Sequence, residues 1–270
     1  MPRDPLIQRF RGRDGTELAF RELGEGRPLV LIHGYFSTAM VTWVGYGHAE
    51  ELVARGYRLI LPDLRGHGDS AKPHDAAAYP PDVLADDGFA LIEHLGLTDY
   101  DLGGYSLGAR TTLRMLARGA RPGQAILGGL GLDGVVHATG RRGGDWFRHL
   151  LTNLGTFEPG SMQARAEEFL HAVGGDPVAL LHVLGTSVDT PREALGSLGM
   201  PILVATGEED DYHHTAGALA AALPAGRHVV LPGDHTTAVT TPEFGAALAE
   251  FLAGRGEDTG EFGQPPVGIE

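Results

Sequence analysis

At 270 residues, 42% hydrophobic and 21% charged, the chain is sized and composed for one α/β domain with an insertion. Its formal net charge of −14 at pH 7 excludes bulk electrostatic binding to nucleic acid or a membrane surface, and leaves a small apolar or neutral molecule as the expected ligand. The absence of cysteine excludes disulfides, thiolate metal ligands and a cysteine nucleophile. The segment Met1-Pro2-Arg3-Asp4-Pro5 has no apolar core of a signal peptide, and no 18-residue apolar run follows anywhere, so a cytoplasmic location is expected.

Strands are predicted, in chain order, over 16–21, 28–33, 58–62, 100–103, 124–130, 201–206 and 227–231. Helices are predicted over 48–55, 80–94, 107–118, 215–223 and 242–252. In the second helix Val83, Leu84, Leu91, Ile92 and Leu95 recur near helical spacing, and Gly96 supplies the stop. This alternation predicts an α/β fold, a mostly parallel sheet flanked by helices on both faces. Residues 134–199 carry no strand pattern. They read as helical pieces at 145–154, 161–172, 177–184 and 191–198, interrupted by Gly174-Gly175-Asp176-Pro177 and Gly185. The expected organisation is a core of 1–133 and 200–253, a helical cap insertion of 134–199 over the carboxyl edge of the sheet, and a disordered, Gly-, Pro- and acid-rich tail of 254–270.

The chemistry centres on Gly104-Tyr105-Ser106-Leu107-Gly108, a serine between glycines where a predicted strand meets a predicted helix. With 41 glycines in the chain, random order would yield roughly 0.14 such pentapeptides, so the context has to carry the assignment. A serine hydroxyl needs a base, and the base needs an anion to fix its tautomer. Two later strands end in Gly207-Glu208-Glu209-Asp210 and in Pro232-Gly233-Asp234-His235. Ser106 is therefore the candidate nucleophile and His235 the candidate base. Asp210 is the candidate acid, with Glu208, Glu209 and Asp211 as neighbours and Asp133 as the alternative. Two N–H donors must face the developing oxyanion. Leu107 supplies one by its position after the nucleophile, and Tyr35, in His33-Gly34-Tyr35-Phe36, supplies the other. No metal is expected, because no His pair at helical spacing has an acid beside it. Gly128-Gly129-Leu130-Gly131 fits no nucleotide-binding frame.

The chain resembles the α/β-hydrolase superfamily over roughly residues 15–253. The resemblance is carried by His33-Gly34 after a strand, Pro62-Asp63-Leu64-Arg65-Gly66-His67-Gly68-Asp69-Ser70, the Gly104–Gly108 elbow, Gly207-Glu208-Glu209-Asp210, and His235 followed by Pro242-Glu243-Phe244. It implies a Ser/His/Asp enzyme with a small helical cap, favours Asp210 as the acid, and gives His33 and His67 structural roles. It argues against epoxide hydrolase and haloalkane dehalogenase chemistry, which in this fold needs Asp where Ser106 stands. The expected activity is cofactor-free, carboxylesterase-like hydrolysis of a small ester, lactone or thioester through an acyl-enzyme. Alternatives are a C–C bond hydrolase, a perhydrolase or haloperoxidase, a cofactor-independent dioxygenase, or a non-catalytic receptor. Gly34, Phe36, Tyr105, Trp146, Phe147 and Leu150 are the expected pocket residues, the aromatic ones in the insertion forming an apolar roof.

Overall fold

In the computed structural model, residues 5–139 and 142–254 are described. Eight strands form one sheet: β1 (Gln8–Arg11), β2 (Glu17–Leu23), β3 (Arg27–Ile32), β4 (Tyr57–Pro62), β5 (Asp101–Tyr105), β6 (Ala125–Gly128), β7 (Ile202–Gly207) and β8 (Gly226–Leu231). The order across the sheet is β1-β2-β4-β3-β5-β6-β7-β8. β1 pairs antiparallel with β2 and β2 with β4, and all other pairings are parallel.

The central strands are nearly continuous apolar runs because both of their faces are covered. Val30, Ile32, Ile60, Leu102 and Leu127 face one core with Leu84 and Leu91 of α2 (Val83–His94) and Leu113 of α3 (Leu107–Ala117). Their alternates Leu29, Leu31, Leu59, Leu61 and Ile126 face a second core with Leu52 of α1 (His48–Ala54) and with Phe244 and Leu248 of the helix Pro242–Ala253. The two-residue period of a strand thus sorts each run onto two opposite cores.

Between β6 and β7 the chain runs through α4 (Leu132–Val136), α5 (Arg142–Thr152), α6 (Met162–Ala172), α7 (Pro177–Val183) and α8 (Arg192–Leu195), with no strand among the described residues. Ser161 and Asp176 cap α6 and α7, their side chains accepting from the N–H of Ala164 and Ala179. A separate apolar cluster of Phe36, Leu150, Leu151, Leu170 and Leu180 holds these helices together. After β7 come α9 (His213–Ala222) and, after β8, α10 (Pro242–Ala253).

Three differences from the sequence expectation have simple causes. β1 was not expected, because only Phe10 of its four residues is apolar and buried. α2 starts at Val83 rather than residue 80, since Pro80-Pro81 and the left-handed Asp82 (φ 65°) cannot continue a helix. The predicted strand 124–130 stops at Gly128, whose pairing with Tyr105 ends the ladder. Of the expected tail, Gly254 closes α10 and residues 255–270 lie outside the described residues.

Candidate active site

Ser106 stands between β5 and α3 at φ 54°, ψ −110°, a region that non-glycine residues rarely occupy. The flanking glycines make that turn possible by leaving room. A Cβ on Gly108 would lie 2.0 Å from the Ile32 carbonyl oxygen, and one on Gly104 would lie 2.4 Å from the Gly108 carbonyl carbon. The strained corner lifts the Ser106 hydroxyl clear of its own backbone at the carboxyl end of the parallel strands. There it meets the loops after β3, β7 and β8.

Ser106 Oγ lies 2.8 Å from His235 Nε2, and His235 Nδ1 lies 2.8 Å from Asp210 Oδ2. Beside a carboxylate Nδ1 is the donor, which leaves Nε2 as acceptor for the serine hydroxyl. Asp210 is buried, and its other oxygen accepts the Tyr212 N–H at 2.8 Å. Glu208, Glu209, Asp211 and Asp133 are exposed. Tyr105 Oη donates to the His235 carbonyl at 2.8 Å and steadies the loop that carries the imidazole.

The loop after β3 is fixed by buried groups. The Asp63 carboxylate accepts from the N–H of Ala39 and of Asp69, each at 2.9 Å, and from Arg21 at 3.2 Å. His33 Nδ1–H donates to the Gly34 carbonyl at 2.7 Å while Nε2 accepts from Leu64 N–H at 3.0 Å. His67 Nδ1–H donates to the Arg65 carbonyl at 3.1 Å while Nε2 accepts from Phe36 N–H at 3.3 Å. Both imidazoles are thereby neutral. Burial holds both below the ordinary histidine value, and the neighbouring His33 adds to the effect on His67, which falls to about 3. Gly34 lies against Ser106, a Cβ built on it being 3.5 Å from that of the serine. The Tyr35 and Leu107 N–H groups have no acceptor among the described residues.

A cavity of about 320 Å³ opens over Ser106 and His235, at the small end of ligand pockets. Phe147 lines it as expected, with Tyr35, Val183 and Leu184. Gly34, Phe36, Tyr105, Trp146 and Leu150 do not. Strand alternation turns the Tyr105 ring to the opposite face of the sheet, against Phe244. Phe36 and Leu150 are consumed by the apolar cluster of the helical segment, and Trp146 packs edge-on behind Phe147 at 4.9 Å. The wall is also not the apolar roof expected, because it includes Arg110, Asp145, Arg148, Asp211 and Tyr212. Arg110 had a readable signal, one helical turn after Ser106. Arg148 and Asp211 had none beyond their proximity to Phe147 and Asp210. Among the described residues no group of three or more His, Asp or Glu is placed to hold a metal ion, and no helix is long and apolar enough to cross a membrane.

A family profile described as alpha/beta hydrolase fold matches residues 27–128. Over 119 residues the chain is 38% identical to a non-heme haloperoxidase of Rhodococcus erythropolis, an alignment covering 42% of this chain and 40% of that protein. The chain spans about two fifths of the length of the curated relatives it matches. Among solved structures, an esterase from Exiguobacterium antarcticum superposes with a TM-score of 0.72 over 93% of this chain and 100% of its own, at 20% identity. A bromoperoxidase from Bacillus anthracis does so with a TM-score of 0.71 over 92% of this chain and 100% of its own, at 22% identity. At these identities the likeness is one of fold. Sheet order, serine elbow and matched segment together give the chain the alpha/beta hydrolase fold.

Proposed function

We propose that this chain is a serine hydrolase that cleaves a small carboxylic ester, lactone or thioester through an acyl-enzyme. The observation that carries the reading is the unbroken hydrogen-bond line from Asp210 through His235 to Ser106 at the floor of the cavity. His235 takes the proton as Ser106 Oγ attacks the carbonyl, then gives it to the departing alcohol or thiol; water repeats the sequence to release the acid. Asp210 fixes the imidazole tautomer and stabilises its charged form. The N–H groups of Tyr35 and Leu107 stabilise the oxyanion. The helices between β6 and β7 serve as a cap that bounds substrate size, and no cofactor enters the scheme.

Ser106→Ala is expected to lower kcat/KM on a short p-nitrophenyl ester by about 10⁴-fold or more and to abolish labelling by a fluorophosphonate. Hydrolysis that persists unchanged would reject the assignment. A second reading is favoured by the haloperoxidase name of the Rhodococcus relative. Here hydrogen peroxide replaces water in attacking the acyl-enzyme, so that a peroxy acid leaves. Bromination of monochlorodimedone by bromide, which the peroxy acid oxidises to hypobromite, supports it if the reaction requires acetate, peroxide and Ser106 together.

A further inference from the structure

One cation in the cavity wall is used by nothing in the scheme above. Arg110 lies four residues after Ser106, its N–H donating to the Ser106 carbonyl at 3.0 Å, so the two side chains leave the same face of the chain one turn apart. Its guanidinium gives one hydrogen bond to Tyr212 Oη, and its central carbon lies 5.7 Å from the Tyr212 ring centroid. Its Nε is sealed from solvent and has no partner, and among the described residues no carboxylate pairs with it. The other described arginines that are buried or half-buried, Arg21, Arg27, Arg58, Arg65 and Arg114, each hold a carboxylate, and acids outnumber lysine and arginine 35 to 21.

The other charges of the wall do not cancel it. Asp145, Arg148 and Asp211 are exposed and therefore solvated, while Asp210 is turned toward His235 and the Tyr212 N–H. Arg110 is partly buried and Arg148 exposed, so Arg110 is the less screened cation of the cavity. A guanidinium presents a planar fork of donors that suits a carboxylate, and Arg110 lines the cavity beside Ser106.

We propose that Arg110 is a specificity-determining residue that selects acyl groups bearing a second, free carboxylate. The proposal rests on the hydrolase reading and names its substrate class: monoesters of short dicarboxylic acids, with the free carboxylate about one helical turn, 5.4 Å, from the carbonyl under attack. Ser106 Oγ forms the acyl bond as the alcohol leaves with the proton from His235, and water then releases the dicarboxylic acid. Arg110 takes no part in bond making.

The test compares 4-nitrophenyl hemisuccinate and hemiglutarate with 4-nitrophenyl butyrate and valerate on the intact chain. The free carboxylate is expected to raise kcat/KM by about tenfold or more, mostly through KM. Arg110→Gln should lower kcat/KM on the hemiesters at least about tenfold more than on the neutral esters, and Arg110→Lys should restore part of the difference. Because each ratio comes from a single preparation, a loss of folded protein does not alter it. Calorimetry of glutarate against dimethyl glutarate, on Ser106→Ala with and without Arg110→Gln, reads the same preference without turnover. Ser106-dependent hydrolysis with no preference for the hemiesters, or an equal loss on both classes, would overturn the proposal and leave the hydrolase reading intact. If no ester is cleaved, the hydrolase reading fails, and the calorimetry alone decides whether Arg110 binds the carboxylate.

Discussion

At the scale of single residues, the acid partner is the sharpest point of the site. Asp210 is buried against His235 Nδ1 and Asp133 is exposed elsewhere. Asp210→Asn keeps the shape of the side chain but lets an amide face the imidazole, which favours the wrong tautomer. We expect kcat on a p-nitrophenyl ester to fall by about 10³- to 10⁴-fold with KM little changed, and Asp133→Asn to stay within about twofold of the parent. Equal losses in the two variants would point to another acid. That Ser106, His235 and Asp210 belong together was legible because their local contexts are covalent neighbours: a glycine-flanked corner and two strand ends. The pocket was poorly legible because it is made of directions rather than neighbours. Tyr105 adjoins Ser106 in the chain, yet the pleat sends it to the opposite face. Phe36, with φ at 67°, swings into the apolar cluster beneath α5 and α7.

At the scale of elements, one buried guanidinium ties the β1–β2 hairpin to the helical layer. Arg65, in the loop after β4, donates to both oxygens of Asp87 on α2, at 2.9 and 2.7 Å, and also to Asp14 in the β1–β2 turn. Burial pushes the Asp87 carboxyl up to about 6 against the opposing pull of Arg65, so removing the cation strands a buried acid. Arg65→Gln is expected to lower unfolding free energy by about 3 kcal/mol, read as a shift of the urea midpoint; a shift below about 1 kcal/mol would mean that the network is solvated in practice. The hairpin itself was readable in principle. Asp14-Gly15 between Phe10 and Leu18 is a strong short-range turn signal, but the polar Gln8–Arg11 segment hid the strand beside it. The central strands and long helices were legible because their apolar periodicity spans several turns or pleats. The short α4 and α8, with five and four residues, are held by tertiary packing that no local pattern announces.

For the molecule as a whole, the buried imidazoles set the response to acid. Burial holds His33, His48 and His67 below the ordinary value of 6.5. The unfolded chain takes up these protons as pH falls through 6.5, and the folded chain takes them up only further down. Stability is therefore complete above pH 6.5 and is lost as pH falls toward the folded values, each group contributing a slope of about 1.4 kcal/mol per pH unit within its window. Asp87, between its unfolded 3.8 and about 6, and Asp101, also raised by burial, work in the opposite sense, two carboxyls against three imidazoles, so the net change toward acid is a loss. Urea midpoints measured from pH 7 to pH 4.5 should fall, with a shallower slope in His67→Gln. A flat profile would mean that these rings accept protons in place.

The cavity is walled by two stretches of chain with different duties. Ser106, Arg110, Asp210 and His235 rise from the sheet edge and α3, whereas Phe147, Arg148 and Val183 come from α5 and α7. No hydrogen bond among Ser106, His235 and Asp210 draws on the second stretch. Exchange of the segment between β6 and β7 would therefore resize the chamber and leave the Asp210–His235–Ser106 line in place, with Tyr35, whose hydroxyl donates to the Leu180 carbonyl of α7, as a point where the loop after β3 would have to be refitted.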